Sequence, residues 1–386
     1  MTIYKLSGGM NQIVYLVGWQ KGGHDFEYPY PYIAGFNPKC GTAEEFNSLR
    51  EELKQYNVYL SLHDNFDDAY LSDLYEINGD IVARNEFNNP WKGWLWAGGM
   101  SYIISPKSYL KSKDITERLN NVLSVYGIEK TYHLDVLSSE VRRYNFNPED
   151  MAAAQENIEA KIKIVELFNE HGIDITSETL SMPFIGKIGY TNNTRYKFNE
   201  SVFYRDKIIP LTTMAFHGFT PYAIHSNGDK KSLVRAIGCG TASSLCIENE
   251  YNEVSVMRNI YIATKPMNRL AYKKVIDAEI SQNTWKLLYE DNSSVTVDFE
   301  RNEYTVILDG TVISSNFTTF MPQNGNAYCL YSVDGGGKAL NLPAKWNRVK
   351  VSVFGESEDI RETEVHNGEI ALDVKPDTLY ILQKLE

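Results

Sequence analysis

Asp135 and Glu178 each end a strand-like run, Lys130 to Val136 and Ile173 to Glu178, and a helix-length segment separates the two runs. Glycoside hydrolysis asks for two carboxyl groups. One attacks or stabilises the anomeric carbon and the other, protonated, gives its proton to the leaving oxygen. Strands of a (β/α)8 barrel present their C-terminal ends to one face, so side chains far apart in sequence converge there. An ionised Asp135 beside Glu178 would also raise the Glu178 pKa and keep that carboxyl protonated at neutral pH. A strand-end aspartate serves equally well as a cap or an ion-pair partner, so residue type leaves both readings open. Asp174 lies on the same run as Glu178 but at its entry end, and Glu140 is a weaker substitute acid.

Other residues able to meet a ligand sit on the connections. His24 and Asp25 close the Gly-rich stretch Gly18-Trp-Gln-Lys-Gly-Gly-His-Asp25 and could hydrogen-bond adjacent sugar hydroxyls; a turn in which Asp25 holds backbone amides fits as well. Asp64 and Asn65 follow an apolar run, where ligand-facing residues are expected. Trp94 and Trp96 are two apart and in an extended chain would share one side, as a floor for a sugar ring or as a plug holding a long loop. The cluster Asp64-Asn65-Phe66-Asp67-Asp68 offers oxygen ligands for a structural calcium ion without the spacing of a defined calcium loop. His217 ends a further apolar run and is a weaker candidate for substrate contact. No cofactor is required by this chemistry.

The elements that must position these groups alternate. Residues 12–18 and 58–62 read as buried strands of a parallel sheet. Between them Thr42 and Glu45 form a capping-box pattern ahead of Phe46, Leu49 and Leu53 at helical spacing. Helices are predicted over 114–126 and 151–171, the strands with Asp135 and Glu178 follow them, and Ile208–Phe216 and Leu233–Ile237 read as two more strands. A helix over Met267–Ile280 closes this part. Residues 69–109 show no sustained period and read as one long, functional connection. Beyond about residue 282 short alternating runs separated by Asp309-Gly310 and Asn367-Gly368 predict an all-β domain. The fold class is therefore α/β: a TIM-type (β/α)8 barrel over residues 1–282, then a β-sandwich over 283–386. At most six barrel strands are countable, so either strands hide in the loops or the barrel is incomplete at its N-terminus.

The net charge of −12 argues against a nucleic-acid partner, which needs a surplus of Lys and Arg. With 26 tyrosines and 6 tryptophans the chain suits a neutral, carbohydrate partner, although an aromatic-rich core explains the count too. The four cysteines, Cys40, Cys239, Cys246 and Cys329, show no metal spacing, and Cys239 and Cys246 read as buried strand residues. Neither a signal peptide nor a membrane span is legible, which leaves an extracellular and a cytoplasmic location both open.

In order and spacing, the segments Gly18–Asp25, Trp94–Trp96, Tyr132-His-Leu-Asp-Val136 and Ile175-Thr-Ser-Glu178 resemble the catalytic domains of glycoside hydrolase families 101 and 129, over residues 10–280. Those families are the endo- and exo-acting α-N-acetylgalactosaminidases of mucin-type O-glycans. The resemblance implies that Asp135 is the nucleophile and Glu178 the general acid/base of a retaining double displacement. It also implies that His24 and Asp25 bind the sugar of the first subsite and that Trp94 and Trp96 wall it. Family members carry further material ahead of the barrel. Two other readings compete: a glycan-binding or scaffold protein with an idle barrel, and a glycosidase of another preference, such as an α-galactosidase.

Overall fold

A computed structural model describes residues 2–25, 35–70, 81–139, 143–194, 210–245, 252–354 and 360–385. The chain divides into two compact units, residues 10–195 and residues 1–9 with 196–386.

Among the described residues the first unit forms five parallel strands of an incomplete barrel. Strands β1 (Gln12–Leu16) and β2 (Val58–Asn65) lead to an antiparallel excursion of β3 (Asp68–Tyr70), β4 (Lys92–Trp96) and β5 (Gly99–Ile103). Then come β6 (Thr131–Asp135), β7 (Asp174–Leu180) and β8 (Tyr190–Thr194). The parallel sheet runs β1-β2-β6-β7-β8, each strand beside its predecessor, as right-handed βαβ units require. Helices follow their sequence signals. Ala43–Leu53 starts at Thr42, whose side chain accepts from the Glu45 amide while Glu45 returns the bond, completing the capping box. Lys113–Ser124 and Ala154–Asn169 are the other long helices of this unit.

Strand parity sorts the side chains. Leu60, Leu62, Tyr132, Leu134, Ile173 and Ile175 are buried on the side that faces the helices. The alternate positions Ser61, His63, Thr131, His133, Asp135, Thr176 and Glu178 share the interior side, because successive residues of a strand point to opposite faces. Register aligns them in layers: His63 opposite His133, His133 opposite Thr176, and Asn65 opposite Asp135. Lower down, the Tyr15 hydroxyl meets Thr131 Oγ1 at 2.7 Å.

In the second unit a ten-stranded antiparallel sheet begins at Val275–Ile280 and meanders to Ala327–Ser332, then adds Thr378–Lys384, Arg348–Val353 and Ile360–Glu364. A two-stranded ribbon, Gly336–Asn341 with Glu369–Val374, covers a core of Leu340, Trp346, Val349, Val351, Leu372 and Leu382. Asp309 and Gly310 both have positive φ and join Leu308 to its partner Thr311, the two-residue turn that the strand twist favours.

Several expected elements differ. Ile208–Phe216 was expected as a strand; its described part is the helix Leu211–Phe216. Leu233–Ile237 lies in the helix Lys230–Gly238, whose N-cap Asp229 accepts from the Ser232 amide, and the β-branched run that suggested a strand is that helix's buried stripe. Gly238 lets it sit on the sheet, since a Cβ there would meet the Phe299 ring at 2.9 Å. The helix predicted to reach Ile280 ends at Asn268, and Val275–Ile280 is a strand. Residues 196–282, grouped by sequence with the barrel, cluster by contact with the β-sheet: Leu233, Ile237, Tyr261 and Met267 share one core with Trp285, Val297 and Val306. Cys239 is buried, at a helix end rather than in a strand; Glu140 and Cys246 lie outside the described residues. Among the described residues no helix is long and apolar enough to cross a membrane.

Candidate active site

The loop after β1 is fixed from beneath. Trp19 is fully buried, donates from Nε1 to the His63 carbonyl at 2.6 Å and packs edge-on against Tyr126. Gly18, Gly22 and Gly23 all have positive φ, which lets the chain turn His24 and Asp25 back over the sheet. Asp25 itself is left-handed, a conformation that aspartate tolerates.

His24 Nε2 lies 3.4 Å from Asp25 Oδ2 and 4.0 Å from Asp135 Oδ2. On the other side of Asp135, His63 Nε2 lies 4.0 Å from Oδ1. Glu178 follows on the neighbouring strand β7, near enough for its carboxylate to act on Asp135. The loop after β6 ties the two strands together: the Ser138 amide donates to Ser177 Oγ at 3.2 Å and Ser138 Oγ to the Thr179 carbonyl at 2.7 Å. Val136, directly after Asp135, has φ +45°, which is strained for a β-branched residue. Strain of this kind persists where the surroundings enforce it and is concentrated at functional sites.

Electrostatics set Asp135 apart. Burial first, then the Glu178 carboxylate and the hydrogen bond with it, then Asp25 and Asp68, push its pKa up to about 8. The sequence reading had Asp135 ionised and Glu178 as the raised partner. In the structure Asp135 is the raised group, because it is the more deeply buried of the two. Burial, with His133 and His24 nearby, lowers His63 to about 3, and burial lowers His133 to about 4, so both imidazoles are neutral. Asp68 is raised to about 6 by burial, opposed by its bond with Ser101 and reinforced by the Asp67 and Asp25 charges. Burial, with the Asp25 and Asp68 charges adding to it, raises the Tyr70 hydroxyl.

His24, Asp25, Asp135 and Glu178 are thus brought together. Trp94 and Trp96 are 67% and 46% exposed, on a hairpin joined to the Asp25 loop by the bond from the Gly98 amide to the Asp25 carbonyl, 2.7 Å. Exposure argues against the plug reading.

Three expected contacts are corrected. Asp64 is turned into the protein, where Arg118 and Tyr132 each reach it at 2.6 Å and Gln20 Nε2 at 3.1 Å. Asn65 donates to Asp68 Oδ1 at 2.9 Å and accepts from the Asp67 amide. With Lys161 Nζ 2.6 Å from Asp67 Oδ1, the oxygens proposed for calcium are held by protein cations and amides. His217 belongs to the second unit, buried, with Nδ1 against the Lys273 carbonyl at 2.6 Å and Nε2 against that of Gly240 at 2.9 Å.

The sequence reading did not single out His63, His133 or Tyr70, and offered Asp68 only as an oxygen ligand for calcium. Parity was the available signal: Asp64 shares a face with Leu60 and Leu62, whereas His63 shares one with Ser61.

Residues 2–179 match the family described as endo-α-N-acetylgalactosaminidase, glycoside hydrolase family 101. Over these residues the chain is similar to that family. The match ends one residue past Glu178. In three dimensions the chain is similar to the α-N-acetylgalactosaminidase NagBb from Bifidobacterium bifidum. In its complex with Gal-NHAc-DNJ the TM-score is 0.69 at 17% identity, covering 80% of this chain and 51% of that one. In its GalNAc complex the TM-score is 0.68 at 17% identity, covering 79% and 51%. The chain therefore spans about half the length of these solved structures, and the likeness extends the barrel and β-domain fold to it.

Proposed function

We propose that the protein is a retaining glycoside hydrolase that acts on α-linked N-acetylgalactosamine of mucin-type O-glycans. The observation that carries this reading is the approach of Asp135 and Glu178 on the neighbouring strands β6 and β7, near enough for the Glu178 carboxylate to raise Asp135. A retaining pair stands ~5–5.5 Å apart and an inverting pair leaves ~6.5–9.5 Å to seat a water, so the shorter separation is expected here. Asp135 attacks the anomeric carbon and Glu178 gives its proton to the departing oxygen. Glu178 then takes a proton from water, which releases the sugar from Asp135. The proton belongs on Glu178 when Asp135 attacks, and substrate between the carboxyls enforces that placement.

His24 and Asp25, both partly open to solvent, bond the hydroxyls of the first sugar, and Trp94 and Trp96 give it an apolar face. Support for the sugar comes from the family match over residues 2–179 and from NagBb, whose printed name and GalNAc complex give its specificity. The test is hydrolysis of an aryl α-N-acetylgalactosaminide beside an aryl α-galactoside, with Asp135→Asn and Glu178→Gln as controls. Turnover of the first substrate, lost in Asp135→Asn, is expected. Wild-type turnover in either variant contradicts the assignment, and preference for the galactoside replaces the sugar.

A further inference from the structure

Two histidines of the site have no part in the double displacement. His63 and His133 stack across β2 and β6 with ring centroids 4.8 Å apart and planes 25° from parallel. One donor atom each from His63, His133 and Asp135 lie within 4.8 Å of one another. Thr176 Oγ1 meets His133 Nδ1 at 2.9 Å, which orients the ring and leaves Nε2 for a ligand.

We propose that His63, His133 and Asp135 form a binding site for one transition-metal dication of the zinc type, seated on the catalytic carboxylate. Two imidazoles and a carboxylate suit zinc, copper or nickel, whereas calcium and magnesium take oxygen ligands. Zinc bonds of ~2.0–2.1 Å in tetrahedral array hold ligand atoms about 3.3 Å apart, so the side chains close by roughly 1 Å on binding. The strand register pairs His63 with His133, so the two imidazoles start from fixed backbone positions. Three protein ligands leave a fourth position for water. The metal is an inhibitor rather than a cofactor, because it engages the oxygen that would attack the sugar. This last consequence rests on the function proposed above; the binding itself does not.

The test is isothermal titration of the untagged, chelator-treated full chain with zinc chloride, in a Cys40→Ser background because Cys40 is exposed. One equivalent is expected to bind, without competition from millimolar calcium, and His63→Ala and His133→Ala are each expected to weaken it at least about tenfold. Absence of stoichiometric binding, or its survival in both variants, overturns the site. The X-ray absorption spectrum of the zinc-loaded, unsubstituted chain gives an answer independent of how the variants fold. Two imidazoles and a carboxylate oxygen support the site, and sulfur or all-oxygen ligation overturns it. Zinc bound there with undiminished glycoside turnover keeps the site and refutes Asp135 as nucleophile.

Discussion

Asp64 and Asp135 are both buried, on the neighbouring strands β2 and β6, and their surroundings are opposite. Asp64 has the Arg118 guanidinium, the Tyr132 hydroxyl, the Gln20 amide and the Asn65 backbone amide. Asp135 has a second carboxyl and two further acids, and the imidazole nitrogens of His24 and His63 each stand 4.0 Å from it. Burial opposes ionisation of both. The Arg118 charge counteracts it at Asp64, whereas the neighbours of Asp135 add to it. One carboxylate is spent on holding strand to helix; the other is kept unneutralised at the cost of stability.

The largest break in this comparison is Asp64→Asn. It strands Arg118 in the interior, and losing one partner of a buried pair costs ~3–5 kcal/mol. Urea unfolding is expected to show that loss; a change under about 1 kcal/mol would mean the pair is not structural.

Asp135→Asn is expected to move stability the other way. The folded Asp135 keeps its proton up to about 8, whereas an unfolded aspartate releases it near ~3.9. Between those values the native state binds more protons, so wild-type stability falls as pH rises through that window. The asparagine variant escapes this and gains on the order of 2–4 kcal/mol at pH 8, shrinking to nothing by pH 4. Thermal melts at the two pH values read the difference. Equal stability of variant and wild type at pH 8 would refute the raised pKa.

Glu178→Gln sharpens the same point at smaller scale. The Glu178 carboxylate and burial keep a proton at Asp135 up to about 8, so the site gains a second charge above that pH and wild-type kcat/KM should decline there. Removing the Glu178 charge lowers the Asp135 pKa, so with an aryl substrate of good leaving group the residual activity should persist through alkaline pH. A wild-type alkaline limb unchanged in the variant would assign it elsewhere.

Trp94→Ala and Trp96→Ala are the mildest. Both side chains are exposed, so stability should stay within about 0.5 kcal/mol while KM rises. A large fall in Tm would make them structural.

The comparison also shows why part of the site was legible in sequence and part was not. Asp135 and Glu178 follow from strand order, since each closes an apolar run on adjacent parallel strands. His63 and Asp64 are neighbours at one strand end, and only parity against Leu60 and Leu62 separates interior from exterior. Tyr70 and Asp68 lie on an antiparallel excursion whose sequence shows no period. Strand β8, Tyr190-Thr-Asn-Asn-Thr194, has almost no apolar residues and is defined by pairing with β7. The Lys230–Gly238 helix carried its signal in Asp229 and Ser232, which its β-branched residues masked.

The most direct measurement is peptide mass spectrometry of Glu178→Gln quenched during turnover of an activated aryl α-N-acetylgalactosaminide. A retaining mechanism with Asp135 as nucleophile predicts one N-acetylhexosamine covalently attached to the peptide that contains Asp135. Attachment to another residue, or turnover with inversion at the anomeric carbon and no covalent adduct, would contradict it.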